Sequence, residues 1–337
     1  MQSSAVITFQ IDQLIPNAGE NESGWIVSVW EGASGFLQNL EFCCEDPYRS
    51  ALAEYRISAR LEAAVTLLQQ ARAKAGSFAG YLQQAQQDSS LPTGAAITID
   101  IQAAKGKLEL YSMYNAVGTF IHQLVLAFNL AFPGSCRFVN TRYEGPDAAK
   151  FEAPQFESSL FTNGWLSAFD ADWPTLKPVH FRQVWQWLNA RGTSETDVAV
   201  AEINKVLFGL LEIAQHRHAV TARDAILVAH LIEILLKVND GNVPLIRERV
   251  VAVLGPFSKR ADSFNELYRL KDRLLRGDYP ARRPALIVHE ADDPILQQLE
   301  MHNSPVEQGA AIVLALLQDL INHNAADYVF TQQVSRV

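Results

Sequence analysis

The sequence predicts an α+β architecture, a mixed α/β N-terminal domain followed by an all-α helical bundle. Three observations carry this. Strand and helix patterns alternate over the first third of the chain, a stretch rich in Pro, Gly, Asn and Asp breaks the periodicity at 144–178, and every later segment spaces its apolar residues helically. At 337 residues the chain has room for two domains of roughly 150 residues each. The expected division is a mixed α/β domain over 1–145, a connecting segment over 146–192 and a helical domain over 193–337.

In "VITFQIDQL" a period of two puts Ile7, Phe9 and Ile11 on one face, and "GWIVSVWEG" repeats the pattern with bulky β-formers, so both predict strands. From about Ser50 to Ala75, Leu52, Tyr55, Leu61, Ala64, Val65, Leu67 and Leu68 predict one long amphipathic helix. "AAITIDIQ" and "KLELYSMY", joined by a Gly-containing turn at Lys105 to Lys107, predict a hairpin. A mostly apolar helix from about Thr119 to Phe132 is stopped by Pro133 and Gly134. In the connection, Phe151, Phe156, Phe161, Trp165, Phe169 and Trp173 are expected to pin an irregular segment to a core rather than to form a stacking surface. Beyond it, "HFRQVWQWLNARG", 197–216, 221–239, 243–254, 263–276 and 306–322 predict helices. The central one, "TARDAILVAHLIEILL", opens on a Thr221 to Asp224 cap pattern and is apolar on nearly all sides.

Hydrophobic residues make up 48% and charged residues 19%, with no low-complexity tract, the balance of a folded protein. The first twenty residues lack Lys and Arg, so no secretory or transit signal is visible and the chain is expected to start near Met1. "LVLAFNLAF" is far shorter than the roughly 20 residues that span a bilayer. Cys43, Cys44 and Cys136 form neither a disulfide framework nor a metal-binding spacing. The expectation is a soluble cytoplasmic protein with no membrane partner, no cofactor and no metal. The motifs of P-loop, dinucleotide, zinc-protease and α/β-hydrolase sites are absent.

A net charge of −9 argues against a surface that coats nucleic acid throughout. The segment from Asn242 to Arg283, however, carries ten Lys or Arg against five acids, so it is locally basic. Within it, "SFNELYRLKDRLLRGDYP" reads as a helix with a Ser263/Glu266 capping box, a stop at Gly277 and Pro280, and a buried stripe of Phe264, Leu267, Leu270 and Leu274. On another side Arg269, Arg273 and Arg276 fall at i, i+4 and i+7, a basic ridge toward the C-terminal end. Such a ridge reads either as a phosphate-binding surface or as a solvated face of ion pairs.

Three segments in order, "RDAILVAHLIEILL", "IRERVVAVLG" and "FNELYRLKDRLLRG", resemble the HEPN domain of the Apea-like group over roughly 197–325. "LVLAFNLAFPGSCRFVNTRY" is similar to a stretch often found upstream of such domains. The family signature is Arg, four to six residues, then His, commonly within Leu-Tyr-x-x-Arg-Ser-x-x-x-His-Gly. Aligned on Leu-Tyr and Gly, Lys271 stands at the Arg position, Asp272 where Ser is common, and Arg276 at the His position. The resemblance implies metal-independent RNA cleavage by 2′-hydroxyl attack, which needs a cation on the phosphate and a group that moves a proton. Lys271 can supply charge. Arg276 stays protonated and cannot supply the proton transfer of a histidine.

The resemblance therefore implies a protein with a degenerate ribonuclease motif that binds RNA or a protein partner, in bacterial defence or stress response. The RNA-binding candidates are Arg269, Lys271, Arg273 and Arg276, with no confident catalytic residue. It also implies a homodimer, or pairing with a related HEPN chain, in which Lys271 and Arg276 of two subunits line one groove. One alternative is an active endoribonuclease that uses Lys271 for charge and His230 or His289 as proton carrier. Another is a structural subunit whose bundle is an assembly surface.

His230 and Glu233 lie one turn apart in the central helix; they read as a hydrogen-bonded pair or, in the fold the resemblance implies, as support that orients Lys271. His216 and His218, two apart, point away from each other and share no metal. "HEADD" at 289–293 reads as acids at the start of a new helix rather than a metal site, and "RGD" at 276–278 is discounted.

Overall fold

The structure, a computed structural model, describes residues 2–11, 20–46, 51–104, 109–145, 147–156, 159–215, 222–239, 241–261, 263–278 and 294–331. The elements run β1 (Gln2–Gln10), α1 (Glu20–Phe36), β2 (Leu40–Asp46), β3 (Ala51–Arg60), α2 (Glu62–Ala75), α3 (Phe78–Gln87), β4 (Gly94–Ala103), α4 (Leu110–Ala131) and β5 (Phe138–Glu144). After a 3-10 turn at Ala148–Lys150 follow α5 (Ser159–Ala171), α6 (Phe181–Ala190), α7 (Glu202–Gln215), α8 (Ala222–Leu235), α9 (Val243–Leu254), α10 (Ser263–Arg276) and α11 (Pro294–Asn322). The class is α+β. Two compact units emerge, one of Met1–Asn163 with Lys177–Arg217, the other of Gly164–Leu176 with His218–Val337.

The first unit is built on an antiparallel sheet in the order β2-β3-β4-β1-β5. Its register sets Ala5 against Ile99 and Ile7 against Ile97, and β3 adds Ile57 opposite Ile101. Ala5, Ile7, Phe9, Tyr55, Ile57, Ala59, Ile97, Ile99 and Ile101 are all buried, because a period of two sends alternate side chains to one face. On the helical side, Trp30 meets Phe9 and Phe128, Phe128 meets Phe138 and Phe181, and the Trp30 indole donates to the Ser135 carbonyl at 2.8 Å. Each such aromatic contributes roughly 1.5–3 kcal/mol of burial.

Three expectations for this unit are corrected. "GWIVSVWEG" is not a strand but lies in α1, where Ile26, Val27, Val29, Trp30 and Ala33 are buried at helical spacing; nine residues rich in β-formers are too short a window to separate the two periods. The single helix expected over Ser50 to Ala75 is β3 followed by α2, for Tyr55, Ile57 and Ala59 alternate with exposed Leu52, Arg56 and Arg60. "KLELYSMY" does not return as a strand; its described part opens α4, which begins more than two turns before the expected Thr119 and is buried from Ser112 onward. The turn at Lys105 to Lys107 lies outside the described residues. β2 and β5 were not expected.

The second unit, by itself, is all-α among its described residues. α8 contributes Ala225, Val228, Ala229, Leu231, Ile232 and Leu235 to its core, and α10 and α11 pack on it. Gly309 of α11 marks the closest approach: a Cβ there would sit 2.6 Å from Val228 Cγ1 and 2.7 Å from Leu267 Cδ2. Trp173 meets Phe257, which continues through Phe264 to Tyr268. The stretch expected to be irregular, 144–178, holds α5, while α6 forms where "HFRQVWQWLNARG" predicts a helix. Phe156, Phe161, Trp165 and Trp173 are buried as pins, while Phe169 is 56% exposed. No helix among the described residues is long and apolar enough to cross a membrane.

Candidate nucleic-acid interface

α10 has a polar surface and an apolar stripe of Phe264, Leu267 and Tyr268, with Leu270 and Leu274 half-buried at its margin. Ser263 is its first helical residue, and the position before it lies outside the described residues. Its end is the one the sequence predicts. Gly277 takes φ +75°, in the left-handed region that favours glycine, and the Asp278 amide donates to the Arg273 carbonyl at 2.9 Å.

The four basic candidates on α10 separate into two groups. Arg269, Arg273 and Arg276 are exposed and, at 100° per residue, lie within one sector of the helix. Arg269 donates to Glu266 within its own helix, and Arg276 faces Asp272 at 3.8 Å. Both pairs are solvent-exposed and contribute little to stability, so the guanidinium groups are readily redirected to another anion. Arg273 and Arg276 stand in the last turn, where the helix dipole also favours cations.

Lys271 points the other way. Its Nζ donates to Glu233 Oε1 of α8 at 2.5 Å, with only 15% and 11% of the two side chains exposed. The same ammonium lies 5.8 Å from the centre of the Tyr268 ring. Among the described residues the Tyr268 hydroxyl has no hydrogen-bond partner, and burial first, then the charge of Glu233, push its pKa up. Glu233 of α8 thus holds Lys271. The consequence is a largely neutralised interior pair that ties α10 to α8. His230 is exposed on α8, and among the described residues no hydrogen bond joins it to Glu233 or to Lys271.

Other cations of the basic segment are also committed. Arg249 donates to the carbonyls of Leu236 and Lys237 at 2.5 and 2.8 Å, closing the C-terminal end of α8, and stacks on Phe330. Arg247 covers the Phe257 ring at 4.5 Å. A count of charges along the sequence does not reveal these commitments, since each partner is a carbonyl or a ring distant in the chain. Lys259 and Arg260 are exposed, while Arg282, Arg283 and the "HEADD" group with His289 lie outside the described residues, as do His216 and His218.

Among the described residues no group of three His, Cys, Asp or Glu is placed to hold a metal ion. α10 itself carries no histidine, and a guanidinium stays protonated at neutral pH and so cannot act as a general base. The arrangement is suited to holding phosphates by charge and hydrogen bonds. No protein-family model, curated protein or solved structure gives a significant match to this chain.

Proposed function

We propose that this protein binds RNA through the exposed face of α10 without cleaving it, as a HEPN-like bundle whose ribonuclease motif is degenerate. The single observation behind this reading is the division on α10. Arg269, Arg273 and Arg276 share an exposed sector, while Lys271 is held away from it by Glu233. Three planar guanidinium groups spaced over two turns match successive phosphates of a strand. Nothing on that ridge titrates near neutrality to move a proton from a 2′-hydroxyl. Two copies pairing along α10 would double the ridge, and a role in defence or stress response in the bacterial cytoplasm would follow from the family resemblance alone.

The test is fluorescence anisotropy of labelled single-stranded RNA with chelator-treated protein, with the RNA run on a denaturing gel afterwards. Binding with intact RNA is the expected result. Cleavage without metal would instead favour the active-nuclease alternative, and the absence of binding would favour an assembly subunit.

A further inference from the structure

A second polar region lies in the first unit and does not rest on the RNA proposal. Between α4, α7 and the loop 193–197 is a cavity of about 230 Å³, lined by His122, Gln123, Leu126, Asp197, Phe208 and Leu211 among others. Its volume is below the range of drug-sized ligand pockets and equals the share of only about eight waters. A nucleotide or a peptide does not fit. A ligand of a few heavy atoms does.

Much of the cavity's donor capacity is already used. Gln123 Nε2 donates to Asn189 Oδ1, the Thr193 hydroxyl donates to the Leu188 carbonyl, and the Thr196 hydroxyl donates to the Val198 carbonyl. Gln123 is 1% exposed, and among the described residues its Oε1 has no hydrogen-bond partner, an arrangement that buried amides avoid unless a ligand or water completes it. At the mouth stands Asp197, whose backbone amide donates to Glu45 Oε2 at 3.2 Å. Among the described residues no Lys or Arg pairs with either carboxylate.

His122 does not oppose a cation. Its Nε2 is 3.0 Å from the Gln215 amide nitrogen, which donates to it, and burial pushes the imidazole pKa down to about 4, so the ring is uncharged at neutral pH. Leu126, Phe208 and Leu211 make the remaining wall apolar.

We infer that this cavity binds a small organic cation, a protonated amine or guanidinium on a short apolar body. The charged end meets Asp197 and Gln123 Oε1, and the body lies along Leu126, Phe208 and Leu211. The orphaned amide oxygen then gains a donor, and the carboxylate at the mouth gains a counter-ion.

The experiment is calorimetric titration of the full chain with 1,4-diaminobutane, with agmatine and with neutral 1,4-butanediol. At least one of the two cations is expected to bind saturably at one site, and the diol is not. Asp197→Asn, at an exposed position and expected to keep the parent circular-dichroism spectrum, should weaken binding at least about tenfold, the scale of one charge-assisted hydrogen bond. Leu211→Trp, which fills the cavity, should abolish it; should that variant misfold, Asp197→Asn decides alone. Failure of both cations to bind, equal binding of the diol, or binding unchanged in Asp197→Asn would overturn the inference.

Discussion

The outer face of α10 and the cavity between α4 and α7 are the two polar regions that stand out in this molecule, and they are opposite in kind. On α10 three guanidinium groups project into water and keep their charge. In the cavity an imidazole loses its charge to burial, and the unused groups are mainly acceptors. The difference teaches that solvent access, more than residue type, decides what each group offers a partner. Lys271 makes the same point within α10 itself. Two residues from Arg269 and Arg273, it is enclosed and spent on Glu233.

The comparison is broken most severely by disturbing the enclosed charges. Glu233→Leu leaves Lys271 buried without a counter-ion and should lower stability by about 3 kcal/mol, read from the urea midpoint. Replacing both together, Lys271→Met with Glu233→Leu, should return to within about 1 kcal/mol of the parent protein.

His122 gives a pH test of enclosure. Its folded pKa of about 4 lies below the ordinary value near 6.5, so between those values the unfolded chain binds a proton that the folded chain does not. Stability contributed by the neutral ring is complete above about pH 6.5 and falls as the pH drops toward 4, by at most about 3 kcal/mol. Unfolding midpoints of His122→Asn across that range should show a flatter profile.

Packing behind α10 comes next. Gly309→Val places a side chain against Val228 and Leu267 and should cost about 2 kcal/mol by thermal unfolding, with the exposed arginines untouched. The smallest effect on stability belongs to the ridge. Arg269→Ala, Arg273→Ala and Arg276→Ala should each stay within about 0.5 kcal/mol of the parent by chemical denaturation, as exposed positions do.

Much of the second unit was legible in the sequence. Long helices with sustained apolar spacing, such as α8 and α10, announce themselves, and Gly277 marks the end of α10 through the left-handed backbone conformation that glycine takes more readily than other residues. The sheet unit was harder to read. α1 is crowded with Trp, Val and Ile, β-formers that become helical because tertiary burial prefers the 3.6 spacing of Ile26, Val29, Trp30 and Ala33. β3 was absorbed into a neighbouring helix because its alternation spans only ten residues.

The arginine ridge could be laid out from helical spacing alone. The capture of Lys271 required knowing that α8 and α10 are neighbours, which helical spacing alone does not give. The cavity gave no signal, since Gln123, Asp197 and Phe208 are far apart in sequence and of common types.

The most direct test of the account is the salt dependence of single-stranded RNA binding, measured for the parent protein, for the triple Arg269→Ala, Arg273→Ala, Arg276→Ala variant, and for the Lys271→Met, Glu233→Leu pair. If the ridge alone holds the phosphates, the slope of log K against log salt should fall by about 2 in the triple variant, at roughly 0.7 per lost contact. The interior pair variant should keep the parent slope. An unchanged slope in the triple variant, or an equal loss in the pair variant, would contradict the assignment of RNA binding to the outer face of α10.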